Sequence, residues 1–195
     1  MVLSGLASHP FGSWRPKNDA TSWSWIRDAL PRALPTTRVI IFGYDTTLCK
    51  SNSFQTIADL ASSLTGSLKG LGFESPAAKP VIFLAHSLGG VVFKQALTAW
   101  ASGDDSERRM LRRVVGAVLF GVPSRGMETK ALMTVVRGQA NEGLVRDLMV
   151  KSDYLQSLDD GFFDVALRGR MKLFLAFETK TSPTLAVSFT LSLYL

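Results

Sequence analysis

One short stretch of this 195-residue chain has the residue types and spacing of a catalytic turn. The hexapeptide Ala85-His86-Ser87-Leu88-Gly89-Gly90 directly follows the apolar run Pro80–Leu84. Small residues stand two positions before and two positions after the serine, as a tight strand-to-helix turn around an exposed nucleophile requires. A helix that begins after Ser87 points its positive dipole end at the hydroxyl, which favours a developing oxyanion. We therefore predict that Ser87 is a nucleophile and that the backbone N–H of Leu88 is one oxyanion donor.

The general base that this serine needs has no recognisable counterpart in the chain. The two histidines are His9 and His86. A base must reach the serine hydroxyl at about 2.6–3.2 Å and must be oriented by an acid. Adjacent residues at a sharp turn point in different directions, so we interpret His86 as structural. His9 precedes a proline in an early loop, where we expect it to structure that loop.

Composition limits the remaining classes of site. The chain is 46% apolar, carries a net charge of +6 and has one cysteine, Cys49, so it is neither disordered nor held by internal disulfides. Cys49 lacks a Cys or His cluster, and we predict no metal site and no cofactor. The densest basic group, within residues 108–113, follows acidic residues, which favours a solvated face over a nucleic-acid site. The apolar stretch Leu185–Leu195 is shorter than the roughly 20 residues of a membrane-spanning helix, so we expect a soluble or peripheral chain.

Apolar runs of strand length alternate with helical patterns along the chain. The predicted strands are Arg38–Tyr44, Val81–Leu84, Val114–Phe120 and Met171–Phe177. We also predict a short helix over Thr21–Leu30 that Pro31 ends, and a broken helical region over Leu132–Leu158. This alternation predicts a parallel sheet with helices on both faces. We expect one domain over residues 1–185, followed by an atypical tail over residues 186–195.

Several stretches, in order along the chain, resemble a known family. They are Gly5–Pro10, Ile41–Asp45, Ala85–Leu97 and Leu119–Gly126, with a weaker match over Phe177–Thr179. They resemble fungal α/β-hydrolase domains related to the serine active site-containing protein of mitochondria and endoplasmic reticulum. These lipase-like domains also stand at the N-terminus of multidomain NACHT and ankyrin receptor-like proteins. The resemblance implies an α/β-hydrolase fold with a mostly parallel sheet and helices on both faces, here truncated at both ends.

The resemblance also implies roles for individual residues. The backbone N–H of Leu6 becomes the second oxyanion donor, and Glu178, at the end of its strand, becomes the best candidate for the triad acid. An ordinary solvated carboxylate is an equal interpretation of Glu178. Weaker alternatives for the acid are Asp45, Asp159, Asp160 and Asp164. Relatives continue to a loop with a catalytic histidine, for which this chain has no equivalent.

Three functions remain open on these grounds. The first is a serine hydrolase that acts on an ester or lipid substrate, with peripheral membrane contact and no nucleic-acid partner. The second is an inactive hydrolase-like module that binds a ligand or serves in signalling, and the third is a truncated fragment of an active enzyme. By resemblance, the protein is intracellular, either cytoplasmic or associated with mitochondrial or endoplasmic reticulum membranes. We expect the chain by itself to hydrolyse esters poorly.

Overall fold

The computed structural model describes residues 1–15, 23–45 and 47–177, together with the backbone of residues 192–193. The strands within these residues are β1 (Val2–Leu3), β2 (Ile41–Phe42), β3 (Val81–His86), β4 (Val114–Phe120), β5 (Lys172–Ala176) and β6 (Ser192–Leu193). They form one sheet in the order β2-β1-β3-β4-β5-β6. The first five strands pair in parallel, and β6 pairs antiparallel with β5. The mostly parallel sheet predicted from the sequence is therefore confirmed. All four predicted strands are present, but the one predicted over Arg38–Tyr44 is a strand only at Ile41–Phe42.

Helices connect these strands. They are α1 (Leu30–Ala33), α2 (Ile57–Gly70), α3 (Leu88–Ser102), α4 (Asp105–Arg113), α5 (Lys130–Val136), α6 (Glu142–Asp147) and α7 (Asp153–Arg168). The predicted break in the region 132–158 is confirmed, since α5, α6 and α7 divide it. The prediction that Pro31 ends a helix is wrong. Pro31 lies in the first turn of α1, where the N–H that proline lacks has no helical partner anyway.

The main core lies between one face of the sheet and helices α2, α3 and α7. Phe83 of β3 packs on Phe93 of α3 with ring centroids 4.6 Å apart, and Phe93 packs in turn on Phe162 of α7 at 5.8 Å. All three side chains are fully buried. Burial of such large rings contributes on the order of 2–3 kcal/mol each, so this stack fixes α3 against the strand that precedes it.

The opposite face of the sheet is covered mainly near the carboxyl ends of the strands. There Trp14 and Ile26 form a second buried cluster, against which Leu84 and Phe120 pack. Further from this end, Ile82 is 54% exposed and Phe174 is 45% exposed. The N-terminal loop and the short π-helix over Trp25–Ala29, which continues into α1, thus cover the sheet beside the serine turn.

Candidate active site

Ser87 forms the junction between β3 and α3. Its φ of +51° and ψ of −124° lie in a region that residues other than glycine rarely adopt. The Ser87 N–H donates to the Phe120 carbonyl at 2.9 Å, and the Ser87 carbonyl accepts from the Gly90 N–H at 2.9 Å. The neighbouring strand β4 therefore holds a strained turn at the carboxyl end of the sheet, where backbone strain often accompanies function.

The end of β1 lies directly against this turn. A side-chain carbon added at Gly89 would lie 2.5 Å from the Ser4 carbonyl oxygen and 2.8 Å from that of Leu3. A carbon added at Gly5 would lie 2.8 Å from Cβ and 3.3 Å from Oγ of Ser87. The absence of a side chain thus lets Gly89 approach the backbone of β1 and lets Gly5 approach the Ser87 side chain, and a larger residue at either position would block this.

The two backbone N–H groups that the sequence predicts as oxyanion donors belong to different elements. Leu88 is the first residue of α3, so its N–H has no acceptor within the helix. Leu6 follows Gly5, which touches the Ser87 side chain. The N-terminus of α3 adds the positive end of its dipole at the same place. The loop after β1 and the N-terminus of α3 thus meet beside Ser87, and the roles of Leu6 and Leu88 as oxyanion donors stay predictions.

Hydrogen bonds from side chains hold the loop after β1. The Tyr44 hydroxyl donates to the Ser4 carbonyl, and the Ser8 hydroxyl donates to the Gly5 carbonyl at 2.6 Å. The Trp14 indole N–H donates to Ser4 Oγ at 3.2 Å. Sequence reasoning assigned no role to Ser4, Ser8 or Tyr44. The Tyr44 contact joins elements 40 positions apart, and the Ser8 contact, although only three residues long, depends on the conformation of an irregular loop that has no periodic pattern.

The two histidines occupy different surroundings. The His86 ring packs edge-on against Trp14 with centroids 6.4 Å apart, and His86 Nδ1 is buried with no hydrogen-bond partner among the described residues. His9 is exposed, and its Nδ1 accepts a hydrogen bond from the Phe11 N–H at 3.2 Å. Within the part of the chain that the structure describes, no hydrogen bond joins either imidazole to Ser87.

Acid is expected to destabilise the fold through His86. Burial lowers the pKa of the His86 imidazole below its usual 6.5. The unfolded state therefore binds the proton more readily than the folded state. The contribution of neutral His86 to the free energy of unfolding is complete above about pH 6.5 and is lost as the pH falls towards the folded-state pKa. Urea titrations from about pH 7 to about pH 5.5 should show a loss of up to about 1.4 kcal/mol per pH unit from this group.

The control for this prediction is the other histidine. His86→Phe should remove the His86 contribution to the change in the free energy of unfolding with pH, whereas His9→Phe should leave that pH dependence unchanged. The Met1 amino group, whose pKa burial lowers to about 6, contributes equally to all three proteins. A pH dependence that is the same in wild type and His86→Phe would contradict the prediction.

The candidate acids differ in what the structure shows of them. Glu178 lies outside the described residues, two positions after the end of β5. Asp45 is exposed, and its carboxylate accepts a hydrogen bond from the Thr47 N–H at 2.9 Å, which lowers its pKa. The role of Glu178 therefore stays a prediction, while Asp45 caps its own loop.

The three remaining aspartates lie on α7. Asp164 pairs with Arg168 at 2.8 Å, and Asp160 is exposed. Asp159 pairs with the ammonium of Lys94, whose side chain is only 3% exposed. This ion pair engages Asp159 between α7 and α3.

Lys94 belongs to a buried polar cluster that sequence reasoning missed. Its ammonium donates to Ser124 Oγ at 2.6 Å and lies 5.1 Å from the ring centroid of Phe162 and 5.6 Å from that of Phe163. Burial lowers the pKa of Lys94, and the Asp159 carboxylate opposes that shift. A single basic position in the mostly apolar run Val91–Leu97 was the available signal. The cluster ties α3 to α7 and to the loop after β4.

Other kinds of site receive no support from the described residues. Among them, no group of three or more histidine, cysteine, aspartate or glutamate side chains could hold a metal ion. Cys49 is a free, exposed thiol. No helix within the described ranges has both the length and the apolar character needed to cross a bilayer.

Comparison with solved structures defines the class of the domain. Phospholipase PlaB from Legionella pneumophila matches with a TM-score of 0.66 at 12% identity, over 94% of this chain and 39% of PlaB. The mature lipase BlEst2 from Bacillus licheniformis matches with a TM-score of 0.51 at 18% identity, over 94% of this chain and 66% of the lipase. Together with the parallel sheet, these matches show that the chain has an α/β-hydrolase fold.

Comparison with curated proteins adds a more particular relation. Protein SERAC1 from Bos taurus is 25% identical over 186 residues, which is 85% of this chain and 28% of that protein. SERAC1 from Danio rerio is 26% identical over 200 residues, which is 92% of this chain and 30% of that protein. No family model matches the chain. The chain is thus a distant homologue of SERAC1 over most of its length, and it spans about three tenths of the length of these relatives.

Proposed function

We propose that this domain is a serine hydrolase scaffold for acyl ester bonds, with ester or lipid substrates and Ser87 as the nucleophile. The observation that carries the proposal is the strained turn at Ser87, bordered by the N-terminus of α3 and by Gly5. The solved structures that share the fold include a phospholipase and a lipase, which favours ester or lipid substrates.

In the proposed reaction, Ser87 Oγ attacks the acyl carbon of the ester, its proton passes to water, and the carbonyl oxygen becomes an oxyanion. Collapse of the oxyanion breaks the ester C–O bond and expels the alcohol, which takes up a proton, and water then hydrolyses the acyl-serine. The N–H groups of Leu88 and Leu6 donate hydrogen bonds to that oxyanion, which stabilises the transition state. Glu178 is proposed as the acid that would orient a base. The Ser87 proton needs an acceptor, and a serine hydroxyl without an adjacent base keeps its high pKa and attacks slowly. We therefore propose that turnover by this chain alone is slow.

A second function is a hydrolase-like module that binds its ligand without turnover. The surroundings of the histidines favour it, because His86 packs against Trp14 and His9 is exposed in a loop. A third possibility, that the chain is part of a longer active enzyme, agrees with the share of SERAC1 that it spans. Covalent labelling separates a reactive serine from a binding site.

A fluorophosphonate probe tests the nucleophile. We expect slow labelling of the wild type, none of Ser87→Ala, and unchanged labelling of Ser102→Ala, which removes an exposed hydroxyl from the far end of α3. In a p-nitrophenyl ester assay, turnover should be at least about 10³-fold below that of hydrolases with a complete triad.

The other outcomes of these experiments discriminate between the proposals. Absence of labelling at saturating probe would contradict the serine hydrolase proposal and favour the binding module. Turnover at ordinary enzyme rates that disappears in Ser87→Ala would contradict the slow turnover. Its additional loss in His9→Ala would identify His9 as the base.

A further inference from the structure

We propose that Ser8 and Tyr44 are positioning residues for the second oxyanion donor. Their hydroxyls hold the two peptide planes on either side of Gly5, and this directs the Leu6 N–H towards the oxyanion. This inference rests on the proposed function, because it concerns the second oxyanion donor of that reaction. Neither hydroxyl is proposed to touch the substrate. Each acts through a backbone carbonyl of the loop after β1.

Ser8 acts on the peptide unit that carries the donor. The Gly5 carbonyl and the Leu6 N–H belong to one planar peptide, so the direction of one fixes the direction of the other. The Ser8 hydroxyl donates to the Gly5 carbonyl at 2.6 Å. This bond limits rotation of the plane, and it polarises the peptide, which makes the Leu6 N–H a stronger donor.

Tyr44 acts on the preceding peptide unit. Its hydroxyl, just beyond the end of β2, donates to the Ser4 carbonyl across 40 positions of sequence. Burial raises the pKa of Tyr44, so the hydroxyl keeps its proton and remains a donor. The Tyr44 ring lies against Phe42 with centroids 5.7 Å apart. The Ser4–Gly5 peptide is therefore anchored to the neighbouring strand β2.

The loop needs such anchors because of its own sequence. Gly5 must lack a side chain where it touches Ser87, and glycine has the widest conformational freedom of any residue. Ala7 adopts a φ of +52°, which L-residues with a side chain adopt only when their surroundings hold them. Without the two hydroxyls, the Leu6 N–H would sample several directions, and an oxyanion donor is effective only when it is oriented beforehand.

Labelling kinetics test the positioning role. For Ser8→Ala and for Tyr44→Phe, the rate at saturating fluorophosphonate should fall about tenfold, as expected for one lost hydrogen bond. The probe concentration at half-maximal rate should change little, because binding of the probe before reaction does not depend on the hydrogen bonds from Ser8 and Tyr44. Ser8→Thr keeps a hydroxyl and should retain most of the rate. Ser13→Ala is the matched control, since it removes a hydroxyl-to-carbonyl bond in the same loop that does not involve Gly5.

Amide ¹⁵N relaxation tests the positioning role without any chemistry at Ser87. The order parameter of the Leu6 N–H should fall from the value of about 0.85 typical of rigid backbone towards about 0.6 in Ser8→Ala and in Tyr44→Phe, and should keep its wild-type value in Ser13→Ala. Order parameters of the β4 amides should be unchanged in all variants. Greater mobility at Leu6, in a protein whose wild type the probe does not label, would support the positioning role while the proposed function failed. An unchanged Leu6 order parameter, greater mobility throughout β4, or variant labelling rates equal to that of a reactive wild type would each overturn the inference.

Discussion

Replacement of Asp159 by alanine is expected to lower the free energy of unfolding by about 3 kcal/mol, because it leaves the Lys94 ammonium buried without its counter-charge. The Lys94 side chain is 3% exposed and that of Asp159 is 22% exposed. The partial exposure of Asp159 places the effect near the lower end of the range for buried ion pairs. Ser124 and the Phe162 ring remain near the cation but carry no opposing charge. Urea titration at neutral pH measures the loss.

The same helix provides the control for this experiment. Asp164 pairs with Arg168 on the surface of α7, where the side chains are 55% and 80% exposed. Asp164→Ala should therefore change the free energy of unfolding by less than about 0.5 kcal/mol. The double variant Lys94→Met with Asp159→Leu removes both charges and should recover most of the stability. Similar losses in Asp159→Ala and Asp164→Ala would show that the Lys94 cluster is not buried as described.

Gly89→Ala is expected to destabilise the protein by about 3 kcal/mol or more and to abolish labelling of Ser87. The new methyl group would lie 2.5 Å from the Ser4 carbonyl oxygen and 2.8 Å from that of Leu3. Both are backbone atoms of a segment fixed by strand pairing, so neither can rotate away. Relief requires α3 to move from β1, and that movement also displaces the Leu88 N–H from Ser87. Urea titration and the fluorophosphonate rate measure the two effects.

Gly66→Ala is the matched control, because the same substitution meets nothing within 4 Å inside α2. It should stabilise the protein by up to about 1 kcal/mol, since alanine is the better helix former. A stable Gly89→Ala protein that still reacts with the probe would contradict the contact between β1 and α3.

The sequence by itself determined the features that depend on near neighbours. An apolar run, a serine between small residues and a helical pattern placed Ser87 between β3 and α3, because a strand-to-helix turn is specified within about ten residues. Parallel pairing of the four predicted strands followed from their apolar character and from the helices between them. The assignment of Glu178 as the acid came from the resemblance and stays a prediction, since that residue lies outside the described part of the chain.

The tertiary structure alone decided which polar groups meet. Lys94 pairs with Asp159, which is 65 positions away in the sequence, and the Tyr44 hydroxyl donates to the Ser4 carbonyl, which is 40 positions away. Periodicity does not encode such partners, because they depend on how whole elements pack and on which groups that packing removes from water. A buried polar group without a partner costs on the order of 1–3 kcal/mol, so the packed interior selects these pairings once the strands and helices are in place.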